Sequence, residues 1–542
     1  MTSSSIKRKS VFRQSTVILL IAFFIVAVIC PLFSMLKNLG KTDVAALISD
    51  KATLTAALNS LAVSSTATLI SIAVAMCAAW CMTRTSVRIK NFFNLCLILP
   101  MLIPSISHGM GLLIIFGTNG TLSKLFGLTQ GIYGFWGIVI GSVLYSFPVA
   151  YIMISDILKY EDSTPYEAAS VLGIPKLRRF TAITLPYLRK PMISVVFAVF
   201  TMIVTDYGVP LMVGGMYKTL PHLMYIEVIG RQNFSKGSFF GLILLIPAII
   251  AFVVDIFCKS DKRSGSVIRP FQIKKKPLRD TVAFLVLAII TICAVFPIVS
   301  FIAITFSKSY PNDMSFSLIN VTQTFAKGVD KYLINSVVIA FFTSCVGTAV
   351  SFICACFTAR KPSKGARFLH LMSILSLAIP GIVLGLSYIL FFGGSFIYGT
   401  LAILILANTV HFFSSPYLMI YNSIGKLNPN LEAVADSLGI NRFWLVKDVI
   451  LPQTKTTLAE MFSYFFVNSM MTISAVAFLA TRKTKPISLV IPQFEAQLLL
   501  EASAFVSLLI LASNLLMKLI IFIIKYTLSK RGNKSFTHEA ID

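Results

Sequence analysis

Residues that could do chemistry are few in this chain and poorly spaced for it. The five histidines, His108, His222, His370, His411 and His538, have no metal-ligand spacing. The nine cysteines are Cys30, Cys77, Cys81, Cys96, Cys258, Cys293, Cys345, Cys354 and Cys356. Almost all lie in apolar runs, where Cys acts as a small hydrophobe. No CxxC pair signals zinc or redox chemistry. Gly40-Lys41-Thr42 looks like the end of a phosphate-binding loop, but the earlier glycine position of that motif is Met35. Nothing points to a Ser-His-Asp set. The expectation is a chain with no catalysis and no cofactor or metal of its own.

One ionisable residue does sit where it would be costly. Asp206, in TDYGVP (205–210), falls inside an apolar run, and such residues tend to mark transport pathways. On that reading it lines a path and meets a cationic group. The competing reading is a carboxylate bonded to a neighbouring helix or lying near the outer interface. Asn468, Ser469 and Thr472 are the polar candidates for the facing side, with helix packing by small polar residues as the alternative.

The elements that must hold these residues are membrane spans. Of 542 residues, 56% are apolar and 13% charged; a soluble protein would carry roughly a quarter charged residues. A span needs about 20 apolar residues, and twelve segments qualify: 15–36, 56–82, 92–117, 133–157, 191–214, 238–258, 281–306, 332–358, 367–392, 396–422, 456–480 and 501–527. The first follows a basic start, but its apolar core is too long for a cleaved signal and no small-residue cleavage site follows. Pro100, Pro104, Pro148, Pro380 and Pro416 are expected to kink their spans.

The formal charge of +26 is distributed as a membrane protein requires. Lys7, Arg8, Lys9 and Arg13 precede the first span, so the N-terminus is expected in the cytoplasm. Arg84, Arg88, Lys90, then Lys176, Arg178, Arg179, then a basic segment at 259–280, then Arg360, Lys361, Lys364 and finally Lys530, Arg531 and Lys534 all fall on the same side. Arg482, Lys483 and Lys485 are a mild exception. No basic, aromatic-studded soluble domain is present to bind nucleic acid.

The two halves repeat. ALNSLAVSSTATLISIAVAMCAAWCMTR (57–84) aligns without a gap on LINSVVIAFFTSCVGTAVSFICACFTAR (333–360). Asn59-Ser60 meets Asn335-Ser336, and Arg84 meets Arg360. SFP at 146–148 matches SSP at 414–416. Six spans per half is an even number, so both halves enter the membrane in the same direction, a parallel repeat. The expected organisation is a first repeat over 1–258, a basic linker at 259–280 and a second repeat over 281–542.

Each half also carries one polar passage between spans: YEAASVLGIPKLRRFTAITLP (166–186) and LEAVADSLGINRFWLVKDVILP (431–452). Aligned on Gly173 and Gly439, Leu185-Pro186 meets Leu451-Pro452, Ala169 meets Ala435, and Asp206 further on meets Thr472. Glu and Ala suit a helix start, and each Gly sits where a left-handed C-cap is expected. Each passage, about 158–190 and 423–455, should be a short helix, a sharp turn and a second helix leading to Leu-Pro.

This spacing resembles the EAA motif of type I ABC transporter permeases: E-A-A, three residues, G, nine residues, I-x-L-P. Glu167, Ala168, Ala169, Gly173, Ile183, Leu185 and Pro186 match it fully. The second copy departs, with Glu432 one residue early, Ala433-Val434-Ala435 in place of E-A-A, and Val449 at the Ile position ahead of Leu451 and Pro452, while Gly439 keeps its spacing to that Leu-Pro. The resemblance covers nearly the whole chain. It implies an all-α integral membrane protein of two tandem six-helix repeats in a bacterial inner membrane, with both termini cytoplasmic. It implies coupling helices that dock on two ABC ATPase subunits, where ATP and Mg bind. It also implies a small solute delivered by an extracytoplasmic solute-binding protein. ATP binding would turn the cavity outward and hydrolysis would reset it. Among fused two-copy chains, TDYGVPLMVGG (205–215) and FVNSMMTISAVAFLAT (466–481) resemble the 2-aminoethylphosphonate importers, with ferric iron or thiamine as alternatives. A secondary transporter of the major-facilitator type also has two six-helix halves, but its repeated motif would lie between the second and third spans, not after the fourth. A membrane-embedded enzyme would need clustered acids or histidines in the spans.

Overall fold

In the computed structural model, residues 3–40, 43–118, 120–127, 131–258, 269, 271, 273, 275–360 and 363–538 are described. Lys41, Thr42, most of the 259–274 part of the linker and Lys361 lie outside the described residues. The backbone is almost wholly helical; one antiparallel hairpin, Ser307–Ser309 with Asp313–Phe316, is its sole sheet among the described residues.

Among the described residues, eight helices are long and apolar enough to cross a membrane: Gln14–Leu39, Lys51–Arg84, Phe135–Lys159, Lys176–Val204, Phe234–Val254, Pro277–Thr305, Val329–Thr358 and Leu500–Leu528. Three bent pairs raise the number to as many as 11. The eleventh expected span, 456–480, differs. Its helix is Leu451–Met471, which carries Lys455 and Glu460 and gives way to turns from Thr472 onward. The all-α, two-fold repeated architecture stands; the count of plainly apolar spans is lower than expected.

The prolines divide into breakers and tolerated residues. Lys90–Leu102 meets Ser105–Phe116 at 101°, with Pro104 at the joint, and Lys364–Ala378 meets Gly381–Phe392 at 108°, with Pro380 at the joint. Leu401–His411 meets Ser414–Gly425 at 54°; Pro416 lies in the first turn of the latter, where a missing N–H is harmless. The helix Phe135–Lys159 runs unbroken through Pro148.

The chain forms two compact units. One comprises Asp43–Lys327 and Ile491–Leu508; the other comprises Met1–Thr42, Gly328–Val490 and Leu509–Asp542. These are units of packing, and one helix joins each of them out of chain order. The helix Pro277–Thr305 packs inside the first unit, with Phe284 edge-on to Phe93 and Pro297 against Gly111. The opening helix packs inside the second, where Phe24 meets Phe413 edge-on and the Tyr388 hydroxyl donates to the carbonyl of Ala27. A span that is apolar on every side has no polar face to dictate its partner, which is why chain order alone misplaces it.

Within each unit the repeated residues do the same work. In the first, the Asn59 amide donates to the carbonyl of Lys218 and Ser60 Oγ accepts from the backbone of Leu220 at 2.8 Å. In the second, Asn335 donates to the carbonyls of Lys483 and Lys485, and Ser336 Oγ accepts from Ile487 at 2.7 Å. The Asn-Ser pair thus ties the loop after the fifth span to the start of the long helix. Ser146 bonds Ser71 in one unit, and Ser414 bonds Ser376 in the other. Along Lys51–Arg84, buried Ser60, Ser64, Ala67, Ser71, Ala75 and Ala78 recur every three or four residues. Small residues at that spacing let membrane helices approach closely.

One close approach in the second unit gives a direct prediction. A Cβ on Gly347 would lie 2.6 Å from the ring of Phe465, which is fully buried. Gly347→Leu is expected to destabilise the chain by about 1–3 kcal/mol through overpacking. Thermal denaturation of the solubilised protein checks it; an unchanged midpoint would contradict this packing.

Candidate functional site

The repeated passages fold alike. In the first, Pro165 opens the helix Thr164–Val171, and Ser163 Oγ donates to Glu167 at 2.9 Å. The helix stops at Gly173, whose φ is +68°. The N–H of Ile174 turns back to the carbonyl of Ala169 at 3.0 Å, the six-to-one bond of a glycine C-cap. Arg179 Nε then clasps the carbonyl of Ile174 at 2.6 Å. A short helix, Lys176–Arg179, and a π-turn, Phe180–Thr184, lead into Leu185–Val204.

The second passage repeats the glycine cap and the turns that follow it. The helix Leu431–Ser437 ends at Gly439, with φ +69°, and the N–H of Ile440 returns to Ala435 at 2.8 Å. Arg442–Leu445 and the π-turn Val446–Ile450 lead into Leu451–Met471. Both π-turns end just before Leu-Pro. Proline has no N–H to give, and the preceding Leu185 and Leu451 instead donate five residues back, to Phe180 and Val446.

Each turn presents an exposed apolar tip on a polar body. Ala169 and Ala435 are buried and hold the helix down, while Ala168 and Ala433 face outward. Leu172 is 75% exposed and Leu438 is 68% exposed. Val171, Leu177 and Phe443 are exposed beside them. Large apolar side chains left out in this way mark interaction sites. Gly173 and Gly439 lie at the tip, and no atom stands within 4 Å of a Cβ built on either.

The two acids of the motif differ in use. Glu167 accepts from Ser163, whereas Glu432 pairs with Arg360. In the first copy Arg84 pairs instead with Glu161, to which the Tyr166 hydroxyl also donates. Burial, and then the Glu161 carboxylate, push that hydroxyl above its ordinary range, so it stays a donor. Arg84, Arg360 and Glu161 are the residues that sequence reasoning passed over, treating the arginines only as orienting charges. The gapless match of Arg84 to Arg360 was the available signal.

Asp206 is not inside a helix. Lys176–Val204 ends at Val204, the chain unwinds over 205–207, and a short helix, Gly208–Val213, follows. The carboxylate accepts from Ser105 Oγ at 2.6 Å and from the N–H of Val209 at 3.0 Å. It therefore joins the start of Ser105–Phe116 to that of Gly208–Val213. It also faces a small cavity of about 10 Å³, lined in part by Ser60, Ser64, Ser142 and Thr219, room for about one water. Its repeat counterpart Thr472 caps the end of Leu451–Met471, bonding back to Asn468, and its carbonyl accepts from Ser488. The Asn468 amide donates to the carbonyl of Tyr464. The structure thus brings Ser105 to Asp206, and Asn468 to Thr472. Among the described residues, no group of three or more His, Cys, Asp or Glu side chains could hold a metal.

Known proteins share this plan. The sequence profile of the binding-protein-dependent transport system inner membrane component matches residues 67–260 and again 347–531. The ferric transport system permease protein FbpB of Actinobacillus pleuropneumoniae is 24% identical over 491 residues, 87% of this chain and 72% of its own. A putative ferric transport system permease protein of Haemophilus influenzae is also 24% identical, over 86% of this chain and 78% of its own. The molybdenum transport system permease protein ModB of Azotobacter vinelandii is 29% identical, over 29% of this chain and 70% of its own. With two matched segments that together span well over half its length, each containing one glycine-capped turn, the chain belongs to the family of binding-protein-dependent transport system inner membrane components and carries that component twice.

Proposed function

We propose that this chain forms the translocation pathway of an ABC importer for ferric iron, with one ATPase subunit docked on each glycine-capped turn. The observation that carries the docking is the pair of matching exposed tips at Leu172-Gly173 and Leu438-Gly439. The distribution of Lys and Arg supports a cytoplasmic position for both tips and both termini. The coupling residues are Glu167, Ala168, Ala169, Gly173, Leu185 and Pro186, with Glu432, Ala433, Ala435, Gly439, Leu451 and Pro452. ATP and Mg bind on the partner subunits. An extracytoplasmic binding protein delivers the solute to the opposite face.

Ferric iron rests on the relatives. Those aligned over most of the chain are named for ferric transport; those named for molybdenum align over much less of it. They give the phosphonate reading no support, and it is not carried forward. Asp206, Asn468 and Thr472 are the pathway residues on this reading. The test is uptake of radiolabelled ferric iron in cells with and without the gene, with molybdate and 2-aminoethylphosphonate as competitors. Iron uptake that depends on the chain and ignores both competitors is the expected result. Loss of iron uptake only when a competitor is present at low excess would name that competitor as the substrate.

A further inference from the structure

We propose that Arg84 and Arg360 are positioning residues that fasten each docking turn to the long helix ahead of it, so that movement of the turn is delivered to Lys51–Arg84 and Val329–Thr358. The proposal rests on the docking reading above and adds the means of transmission. A lysine or arginine that served only to orient a span would stand in solvent. These two are largely withdrawn from solvent and engaged by partners. The side chains of Arg84 and Glu161 are 11% and 3% exposed, and those of Arg360 and Glu432 are 7% and 16% exposed.

Each arginine holds three elements at once. Arg84 ends its own helix, donates to the carbonyl of Leu158 at 3.0 Å and pairs with Glu161. Leu158 lies in the last turn of Phe135–Lys159, the helix leading into the first docking turn. Arg360 follows its own helix, with Nε and Nη2 on the two oxygens of Glu432 at 2.5 and 2.6 Å. It also donates to the carbonyls of Leu427 at 3.1 Å and Asn428 at 2.6 Å, just past the end of Ser414–Gly425. Carbonyls at a helix end lack partners and carry negative charge, and only the guanidinium fork reaches them and a carboxylate together. The gapless repeat match puts the same residue type at the same place in both halves.

The two braces are not identical. Glu432 is in the first turn of its docking helix, so Arg360 grips that helix directly. Glu161 precedes its docking helix and reaches it through the Tyr166 hydroxyl. The ring of Phe271, from the linker, lies 3.7 Å from the Arg84 guanidinium and edge-on to Tyr166. The first brace therefore runs through an intermediary and the second does not.

Hydrogen exchange of the chain isolated with its ATPase, with and without ADP and vanadate, separates the possibilities. In the wild type, trapping should change exchange in 164–171 and 431–437, and also in 77–84 and 353–360. In Arg84→Gln with Arg360→Gln the docking helices should still respond. The response at 77–84 and 353–360 should fall at least about fivefold, the low end of a typical coupling, and Arg→Lys should restore part of it. Glu161→Gln, which leaves Arg84 on the carbonyl of Leu158, is the gentler change and should show the same split at 77–84 alone. An undiminished response at 77–84 in either variant, or at 353–360 in the arginine pair, overturns the brace while leaving docking intact. A wild type that responds in the docking helices alone does the same. A wild type with no response in the docking helices overturns the docking reading and the brace with it.

Discussion

Chain carrying Gly173→Trp and Gly439→Trp should come out of the membrane folded and without its ATPase. Both glycines have open space where a side chain would go, so the indole meets no core. The backbone penalty for a residue held at φ near +68° is about 1–2 kcal/mol per site, within what a large membrane protein tolerates. The indole does, however, stand on the apolar tip beside Leu172 and Leu438. Blocking the centre of an interface costs at least about 2 kcal/mol of binding, a weakening of roughly thirtyfold. Gly→Asn at both sites is the control: asparagine accepts the left-handed conformation and is small enough to leave the tip open. Co-purification and ATP hydrolysis of the complexes check this. Full retention of ATPase by the Trp variant would remove the tips from the interface.

The second large effect concerns Asp206. Its two carboxylate contacts, from Ser105 and from the N–H of Val209, join two helix starts in a buried place. Asp206→Leu strands both donors, at about 1–3 kcal/mol for each unsatisfied group. Asp206→Asn keeps one acceptor oxygen and should lose about half as much. Thermal denaturation ranks the three proteins as wild type, Asn, Leu. Transport adds the functional half of the question. If the carboxylate also meets the solute, Asp206→Asn lowers uptake beyond what its residual folded fraction explains. Uptake that tracks the folded fraction alone would assign Asp206 to helix joining.

The sequence made some of these features readable and hid others, for physical reasons. Helix starts and stops in the docking turns were legible because a few residues determine them. Gly173 and Gly439 alone supply the positive φ that closes each helix, and Leu-Pro marks the next helix. The Asn-Ser pairs were visible as repeats, yet their partners, Lys218 to Leu220 and Lys483 to Ile487, are more than a hundred residues away. The packing of the two opening spans out of chain order was unreadable, since Gln14–Leu39 and Pro277–Thr305 are apolar nearly throughout. The unwinding at Asp206 left only a weak signal in Gly208 and Pro210. Arg84 and Arg360 looked like orienting charges because burial cannot be read from residue type.

The central claim is that two ATPase subunits grip one chain through two like turns. The most direct measurement is the mass of the complex isolated in mild detergent, together with its ATP hydrolysis. One chain with two ATPase subunits, falling to one subunit or fewer when either Gly173 or Gly439 is replaced by Trp, is the predicted result. A wild-type chain isolated alone and still driving uptake from an ion gradient would contradict the account.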